Sequence, residues 1–328
     1  MNPFTYARPD DVTTAVQEVA SYAGAKFIAG GTNLIDLMKE NVMKPGRLVD
    51  ISRLALNKIE ENGEGGLRLG ALVTNAATAY HAEVEKRYPL LSKTILAGAS
   101  PQLRNMATDG GNLLQRTRCY YFYDLATPCN KREPGSGCSA LKGYNRIHAI
   151  LGASEQCIAT HPSDMCVALA ALKATVQVTG QGGDRSIPFA DFHRLPSDKP
   201  ELDNTLQPDE IITAIDLPEK GFADNYAYLK VRDRASYAFA LVSVAAALEL
   251  DGNTIREARI ALGGVAHKPW RNEAAEAALA GQPAGKESFR KVAEMIISGA
   301  KGYEHNEFKI ELAKRAIVRA LSQAAKII

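Results

Sequence analysis

The sequence predicts an α+β fold with two domains. Over the first two-thirds of the 328 residues, short strand-like and helix-like segments are interspersed. The last third opens with strand patterns and a hairpin signal and continues with three helical patterns, which is typical of helices packed on a small antiparallel sheet. Pro218-Glu219-Lys220-Gly221 is the predicted boundary, and it gives domains of residues 1–218 and 222–328.

The first motif is a glycine pair between a strand and a helix. Apolar residues at helical spacing predict a short capped helix within residues 5–25. Phe27-Ile28-Ala29 then predicts a buried strand, Gly30-Gly31 a sharp turn and residues 34–39 a helix. Such a unit presents backbone N–H groups and a helix N-terminus to a phosphate. A tight turn without a ligand needs the same residues, so both interpretations remain open at this point.

A second glycine loop, Thr108-Asp109-Gly110-Gly111-Asn112, follows about eighty residues later. Between the loops, the sequence predicts strands at 47–51 and 67–71 with a glycine turn at 63–66. Residues 74–98 are predicted to form two helices, separated near Tyr88-Pro89. Two loops that each carry Gly-Gly beside Thr and Asn suit the two phosphates of a dinucleotide. The G-x-G-x-x-G fingerprint is absent, so a nucleotide site here has to be of a non-Rossmann type.

Four of the five cysteines lie in one polar, loop-like insertion at about residues 115–158. Gaps of nine, eight and eighteen residues separate Cys119, Cys129, Cys138 and Cys157. Iron–sulfur clusters take four thiolates from such loops, so a [4Fe–4S] cluster is the favoured interpretation. Zinc stays open although C-x₂₋₄-C spacing is absent, as do thiols that bind nothing. The neighbouring basic residues either form a solvated loop or compensate an anionic cluster: Arg116, Arg118, Lys131 and Arg132.

Three polar residues near the end of this insertion have ordinary structural interpretations. Cys166 lies on a predicted helix capped by Ser163 and is expected to be a small buried hydrophobe. His161 is expected to be a hydrogen-bonded structural histidine. Asp164 at the helix start either complements the helix dipole or binds a ribityl or ribose hydroxyl.

The remaining segments complete the two domains. Before the boundary they are predicted as a hairpin of strands 174–179 and 185–188 and as a strand 210–217. Beyond the boundary the pattern predicts a strand 226–231 and then strands 238–250 and 255–263, which are joined at Asp251-Gly252-Asn253. Three predicted helices follow, at 270–281, 286–300 and 306–325.

Composition excludes several classes of function. The net charge is only +2, so neither nucleic acid nor a membrane surface is an expected partner. The longest apolar run, about residues 238–248, is too short to span a bilayer, which takes ~20 residues. The N-terminus has no signal-peptide pattern. No nucleophile elbow, Walker loop or His-Glu-x-x-His motif is present, so the chemistry is expected to belong to bound cofactors and no catalytic side chain is assigned.

Taken together, these motifs resemble the flavin (medium) subunit of molybdenum hydroxylases, the xanthine dehydrogenase and aldehyde oxidoreductase family. The segments that carry the resemblance span nearly the whole chain: Ala29 to Leu34, Thr108 to Leu113, His161 to Asp164, Lys230 to Arg232 and Gly263 to Arg271. The four-cysteine insertion is similar to that of the subunit carrying FAD and a [4Fe–4S] cluster in bacterial periplasmic aldehyde oxidoreductases. The flavin subunit of 4-hydroxybenzoyl-CoA reductase also carries such a cluster.

The resemblance implies a two-lobed FAD-binding domain of the PCMH/vanillyl-alcohol-oxidase type, followed by a small C-terminal domain of the CO dehydrogenase flavoprotein type that closes over the flavin. Asp164 would bind the ribityl chain, Lys230 would lie near the isoalloxazine, and the four cysteines of the insertion would ligate the cluster. The residues implied to hold the pyrophosphate are Lys26, Phe27, Ile28, Ala29, Gly30, Gly31, Thr32, Asn33, Leu34, Thr108, Gly110, Gly111 and Asn112.

The expected function is therefore that of an electron-transfer flavoprotein subunit. Its expected partners are a molybdenum-cofactor large subunit that oxidises an aldehyde, a [2Fe–2S] small subunit and an external electron acceptor. A flavin subunit acting with an aryl-CoA or xanthine partner stays open, because the partner chooses the substrate. A non-catalytic iron–sulfur sensor or scaffold is the alternative of another class, and it would need no FAD. The expected location is the periplasm, by co-export with a partner's twin-arginine signal, and the cytoplasm is the alternative.

Overall fold

The computed structural model describes residues 1–328, and it has the α+β composition that the sequence predicts. The helices are α1 Val12–Ala20, α2 Leu34–Lys39, α3 Asn75–Ala79, α4 Ala82–Arg87, α5 Pro89–Ala97, α6 Pro101–Arg104, α7 Asp109–Leu113, α8 Tyr120–Tyr123, α9 Asp164–Leu172, α10 Phe189–Phe192, α11 Glu273–Ala277, α12 Lys286–Ile297 and α13 Phe308–Ala324. The strands are β1 Thr5–Ala7, β2 Lys26–Ile28, β3 Arg47–Asp50, β4 Ile59–Glu61, β5 Leu67–Gly70, β6 Thr175–Gly180, β7 Gly183–Pro188, β8 Ile211–Leu217, β9 Tyr226–Val231, β10 Val242–Asp251 and β11 Thr254–Gly263.

The N-terminal lobe is a small parallel sheet in the order β1-β3-β2. Ile28 at the end of β2 pairs with Asp50 at the end of β3. Helix α1 covers the sheet, and Asp11 caps it by accepting a hydrogen bond from the Thr14 N–H at 2.8 Å. Because parallel strands end at the same edge of a sheet, the first glycine loop leaves the lobe at this edge.

The second lobe is a five-stranded antiparallel sheet in the order β4-β5-β8-β6-β7. Helices α5 and α9 pack with it in the largest apolar cluster of the molecule. Every residue of α9 from Met165 to Leu172 is buried, and the Ser163 hydroxyl caps the helix by accepting from the Cys166 N–H at 3.1 Å, as the sequence predicts. Helix α9 also packs against β10 and β11, so it joins this lobe to the C-terminal domain.

The C-terminal domain is an antiparallel sheet in the order β11-β10-β9, covered by α12 and α13. Asp251 pairs with Thr254 at the tip of β10 and β11, which confirms the predicted hairpin. The apolar side of the amphipathic helices α12 and α13 packs with this sheet in a second large core. The fold is thus the α+β arrangement expected from the sequence, with a two-lobed domain followed by a smaller sheet-and-helix domain.

The cysteine insertion has little regular structure. It contains only α8 and a 3₁₀ helix, Ser139–Leu141, between the second glycine loop and α9. Two residues near the start of α13 bind the part of the insertion around His148. The Lys309 ammonium donates to the carbonyl oxygens of His148 at 2.7 Å and of Gly264 at 2.6 Å. The Asn306 amide also donates to the His148 carbonyl oxygen, at 3.2 Å. Burial lowers the pKa of Lys309 to about 7. The insertion is therefore fastened to the C-terminal domain at a fully buried polar junction.

Two predicted elements differ in extent. The region 74–98 forms three helices rather than two, because His81 adopts an extended backbone conformation and starts a new helix at Ala82. The helix predicted over 270–281 is confined to α11, since Trp270 exchanges two backbone hydrogen bonds of 2.9 Å with Leu262. None of the helices combines the length and the apolar sequence that crossing a bilayer requires.

Candidate functional site

One large cleft lies where the two lobes meet the C-terminal domain, and its volume is about 1220 Å³. We call it the glycine-loop cleft. Pockets for drug-sized ligands have volumes of roughly 300–1,000 Å³, so this cleft has room for a dinucleotide. All fifteen residues that the sequence suggested for cofactor binding line it: Lys26, Phe27, Ile28, Ala29, Gly30, Gly31, Thr32, Asn33, Leu34, Thr108, Gly110, Gly111, Asn112, Asp164 and Lys230.

The two glycine loops meet because Gly30 has no side chain. A Cβ atom on Gly30 would lie 1.8 Å from the carbonyl oxygen of Met106, two residues before Thr108. The next residue, Gly31, has a φ of +71°, in the left-handed region that favours glycine. The first loop therefore needs glycine at both positions, once for close approach of two backbones and once for its own turn.

Asn33 leaves a buried hydrogen-bond donor facing no protein group. Its side-chain oxygen accepts from the Arg116 backbone N–H at 3.0 Å, whereas its Nδ2 has no partner. Leaving a buried polar group unpaired costs about 1–3 kcal/mol, so an unpaired donor calls for a partner such as a ligand, an ion or a water molecule. Asn33 lines the glycine-loop cleft, where a phosphate oxygen would satisfy this donor.

The second glycine loop is held from behind by a buried carboxylate. Asp109 is fully buried and accepts hydrogen bonds from Asn75 at 2.7 Å and from the Thr78 hydroxyl. Asn75 in turn accepts from Asn112 at 2.7 Å, and Asn112 accepts from Ser163 at 2.5 Å. Burial raises the pKa of Asp109 to about 7. This chain of contacts fixes the Asn112 side chain against the segment that starts α9.

Asp164 and Lys230 form a buried ion pair at the C-terminal side of the cleft. The Lys230 ammonium lies 2.7 Å from the Asp164 carboxylate and donates to the Ala97 carbonyl oxygen at 3.1 Å. The Tyr228 hydroxyl also donates to Asp164. Burial and the Asp164 charge raise the pKa of Tyr228 well above its ordinary value, so the phenol stays protonated. The pair brings together two residues that the sequence placed at different parts of a flavin.

Three basic residues lie along the wall near the two glycine loops, and two of them are paired with acidic residues there: Arg116 with Asp203 and Arg118 with Asp36. Lys26, Arg116 and Arg118 all line the cleft. Burial, followed by repulsion from Arg116, lowers the pKa of Lys26. An anionic ligand would relieve this repulsion, and the loop N–H groups would add dipoles of the same sign. The donor set and the shape therefore fit a dinucleotide pyrophosphate such as that of FAD.

Several cleft residues were not identified from the sequence. Three residues that the sequence did not suggest line the cleft: Asn75, Ser163 and Asp203. Asn75 and Ser163 also hydrogen-bond to residues of the second glycine loop. Of the three, only Ser163 lies within a sequence motif. The residues facing the cleft mouth with exposed rings, Tyr237 and Phe239, were missed as well. Ser163 was the one that sequence could have found, since it stands next to Asp164 and caps α9.

The four cysteines of the insertion line a second, small cavity, which we call the four-cysteine cavity. Cys119, Cys129, Cys138 and Cys157 all contribute to its wall, and Cys129 and Cys138 face each other across a backbone bridge. The enclosed space is only about 10 Å³, or room for about one water molecule. The sulfur atoms are not grouped within 4.8 Å of one another, as ligands of a single zinc ion would be. The structure thus gathers the four thiols but shows no cluster-sized space among them.

Burial favours the neutral form of three of these thiols. It raises the pKa of Cys119 to about 12 and that of Cys157 to about 11, and it raises the pKa of Cys138. His148 approaches Cys119, with 3.0 Å between its Nε2 and the sulfur. Because only thiolates bind metal, metal binding here must release protons from the thiols. The type and number of ligands suit a four-iron cluster, but the enclosed volume does not.

Cys166 is fully buried in α9, as expected of a small hydrophobe, and two histidine side chains lie close to it. Ligand atoms of Cys166, His161 and His193 lie within 4.8 Å of one another. Both histidines have backbone contacts: His193 with the Leu113 carbonyl oxygen at 2.8 Å and His161 with the Ser163 N–H at 3.4 Å. Burial lowers the pKa of His193 to about 4, so its ring is neutral. His161 thus makes one long hydrogen bond, as expected of a structural histidine, but its Nε2 has no partner.

Two family models cover almost the whole chain. Residues 2–220 match the FAD binding domain in molybdopterin dehydrogenase, and residues 227–324 match the CO dehydrogenase flavoprotein C-terminal domain. The order of the two matches is the order of the two domains seen in the fold. The chain therefore belongs to the family of FAD-binding subunits of molybdenum hydroxylases.

Relatives within this family align along the full length. The aldehyde oxidoreductase FAD-binding subunit PaoB of Escherichia coli (strain K12) is 51% identical over 325 residues, which cover 99% of each chain. The carbon monoxide dehydrogenase medium chain of Afipia carboxidovorans is 27% identical over 98% of each chain. Among solved structures, carbon monoxide dehydrogenase from Hydrogenophaga pseudoflava lacking the Mo-pyranopterin moiety superposes with a TM-score of 0.77 at 26% identity, covering 98% of this chain and 97% of the other.

Proposed function

We propose that this chain is the FAD- and [4Fe–4S]-carrying electron-transfer subunit of a heterotrimeric, molybdenum-dependent aldehyde oxidoreductase. The observation that carries the proposal is the glycine-loop cleft, in which both glycine loops and the Asp164–Lys230 pair face one dinucleotide-sized space. The 51% identity to an aldehyde oxidoreductase FAD-binding subunit supports the choice of aldehydes over other substrates.

Within this proposal, each part of the cleft has a distinct task. The backbone N–H groups of the first loop and the Asn33 amide would donate to the pyrophosphate, and Thr108 would fix the second loop by capping α7, where its hydroxyl accepts from Gly111 at 3.2 Å. Asp164 would accept hydrogen bonds from ribityl hydroxyls. Lys230 would hold a positive charge beside the isoalloxazine. Bound FAD supplies the chemistry of accepting electrons singly and releasing them in pairs.

The partners follow from the same proposal. A molybdenum-cofactor large subunit would oxidise the aldehyde to a carboxylic acid, and a [2Fe–2S] small subunit would pass the electrons on to this chain and then to an external acceptor. A xanthine or aryl-CoA substrate would require only a different large subunit. The similarity to PaoB favours the aldehyde.

The [4Fe–4S] cluster is the finer part of the proposal. It is supported by the convergence of all four insertion cysteines on one cavity and by Lys131, a buried cation beside them. Since the enclosed space is about 10 Å³, cluster binding would require the insertion loops to open and the thiols to ionise. A structural role and a role in electron transfer are both compatible with this position.

We also propose that the folded complex reaches the periplasm through a twin-arginine signal on a partner. Fractionation of cells into periplasm and cytoplasm tests this directly, and co-purification with the cytoplasmic fraction alone would contradict it.

The test of the function is the cofactor content of the full-length chain after anaerobic purification. About one FAD and about four irons per chain are expected, together with a flavin spectrum that aldehyde bleaches only in the presence of the two partners. FAD without iron would remove the cluster from the proposal and leave the flavoprotein. Iron without FAD would instead favour the sensor or scaffold function.

A further inference from the structure

A ten-residue loop, which we call the Asp203 loop, forms one wall of the glycine-loop cleft. It covers residues 194–203, between α10 and β8, and its base is closed by an isolated bridge between His193 and Asn204. Glu201, Leu202 and Asp203 face the cleft. Compact surface loops whose ends lie close together are frequently functional. Nothing in the loop itself is helix or strand, so its position depends on contacts with other segments.

The Asp203 carboxylate supplies three of those contacts. The Asp203 side chain lies 2.5 Å from the Lys131 ammonium and 2.6 Å from the Arg116 guanidinium. It also lies 3.2 Å from Nε2 of His267, whose Nδ1 is 2.9 Å from the Arg194 carbonyl oxygen. Three separate parts of the chain therefore meet at Asp203: the start of the cysteine insertion, its centre and the C-terminal domain.

Breaking the ion pair between Lys131 and Asp203 is expected to be strongly destabilising. The Lys131 side chain is 1% exposed, and its only other contact in the loop is the Pro200 carbonyl oxygen at 2.5 Å. Removing one partner of a buried ion pair leaves the other charge uncompensated. This destabilises the fold more than replacing both partners by apolar residues does. Since Lys131 lines the four-cysteine cavity and Arg116 lines the glycine-loop cleft, Asp203 stands between the two sites.

We propose that Asp203 is a positioning residue that tethers the Asp203 loop across the glycine-loop cleft and thereby slows the release of FAD. The proposal rests on the proposed flavin role of the cleft. Asp203 does not bind the cofactor in this view. It holds the loop wall closed by gathering Arg116, Lys131 and His267.

A purely electrostatic role predicts the opposite sign, which makes the proposal testable. The Asp203 charge repels a pyrophosphate, so removing only its charge would tighten FAD binding if repulsion dominated. Removing the tether would loosen the wall and speed FAD release. Asp203→Asn therefore separates the two effects by the direction of the change.

The experiment measures FAD release from the full-length, FAD-loaded chain by the rise in flavin fluorescence after dilution. Asp203→Asn is expected to release FAD about tenfold faster than wild type, which corresponds to ~1.4 kcal/mol. Lys131→Met, which breaks the tether from the other side, is expected to act in the same direction. Asp216→Asn is the matched control: its side chain is 16% exposed against 17% for Asp203, it pairs with Arg68 at 2.7 Å, and it lies outside the cleft.

Each outcome decides the question. Slower release from Asp203→Asn, or the same rate as Asp216→Asn, would overturn the tether while leaving the flavoprotein function intact. A wild-type chain without FAD would overturn the proposed function itself. If Asp203→Asn does not fold, Lys131→Met takes its place, and release at the wild-type rate from that variant would equally overturn the tether.

Discussion

The glycine-loop cleft and the four-cysteine cavity stand on either side of Asp203, yet they are built in different ways. The cleft owes its shape to backbone packing, since Gly30 lies against the Met106 carbonyl group and Asp109 holds the second loop from the core. The cavity is formed by irregular loops, burial raises the pKa of its thiols Cys119 and Cys157, and it encloses only about 10 Å³. The difference indicates that the cleft is preformed, whereas the cavity would have to change shape before it could accept a metal cluster.

The largest expected effect comes from a substitution that prevents the close approach of the two glycine loops. Gly30→Ala would place a Cβ atom 1.8 Å from the Met106 carbonyl oxygen, and both partners are backbone, so neither can move away cheaply. We expect no measurable FAD binding by fluorescence titration. Gly46→Ala is the matched control, because no atom lies within 4 Å of its added Cβ. Wild-type FAD affinity of Gly30→Ala would show that the loops do not hold the cofactor.

The second prediction concerns the cysteine cavity alone. Cys129→Ser is expected to lose the bound iron, because a hydroxyl does not replace a thiolate ligand, while the FAD content stays at the wild-type level. Cys166→Ser should keep both cofactors, since that residue lies in the core of α9 away from the cavity. Iron analysis and the visible spectrum of both variants decide it. Full iron content in Cys129→Ser would remove this residue from the ligand set.

Local motifs could be predicted from the sequence and long-range contacts could not. The glycine loops, the cap of α9 and the β10–β11 hairpin depend on neighbouring residues, whose backbone requirements are visible in the sequence. Asp203, by contrast, is 87 residues from Arg116 and 72 from Lys131. No spacing rule connects such residues, because only the packing of three segments brings them together.

The same distinction explains an ambiguity within the second glycine loop. The motif Thr108 to Asn112 contains Asp109, whose carboxylate faces the core rather than the cleft. Its partner Asn75 is 34 residues away, so the sequence alone did not indicate which way the side chain points. Sequence identified the segment, and tertiary contacts decided which of its side chains support the loop from behind.

Asp109 gives the third prediction, which tests how strongly the preformed cleft is held. Its pKa is raised from 3.8 to about 7, chiefly by burial, so between these pH values the folded chain keeps a proton that the unfolded chain releases. The free energy of unfolding must therefore fall as the pH rises from about 4 to 7 and then level off. Asp109→Asn stays neutral and should lack this fall, which amounts to at most about 4 kcal/mol because one pKa unit corresponds to about 1.4 kcal/mol. Urea unfolding of both proteins at several pH values measures it. Parallel pH profiles would mean that Asp109 is already ionised in the fold.

The smallest expected effect comes from the unpaired Asn33 amide donor of the cleft. Asn33→Ala removes the Nδ2 group that has no protein partner and also the oxygen that accepts from the Arg116 N–H. A hydrogen bond to a charged group contributes about 1.5–3 kcal/mol, so FAD should bind roughly tenfold to a hundredfold more weakly. The FAD-free protein should lose little stability, because the lost Arg116 contact is offset by relief of the buried donor. Isothermal titration with FAD and thermal unfolding without it separate the two quantities. If FAD affinity stays the same while stability falls, Asn33 serves only to hold Arg116, and the phosphate contact must come from the loop backbone alone.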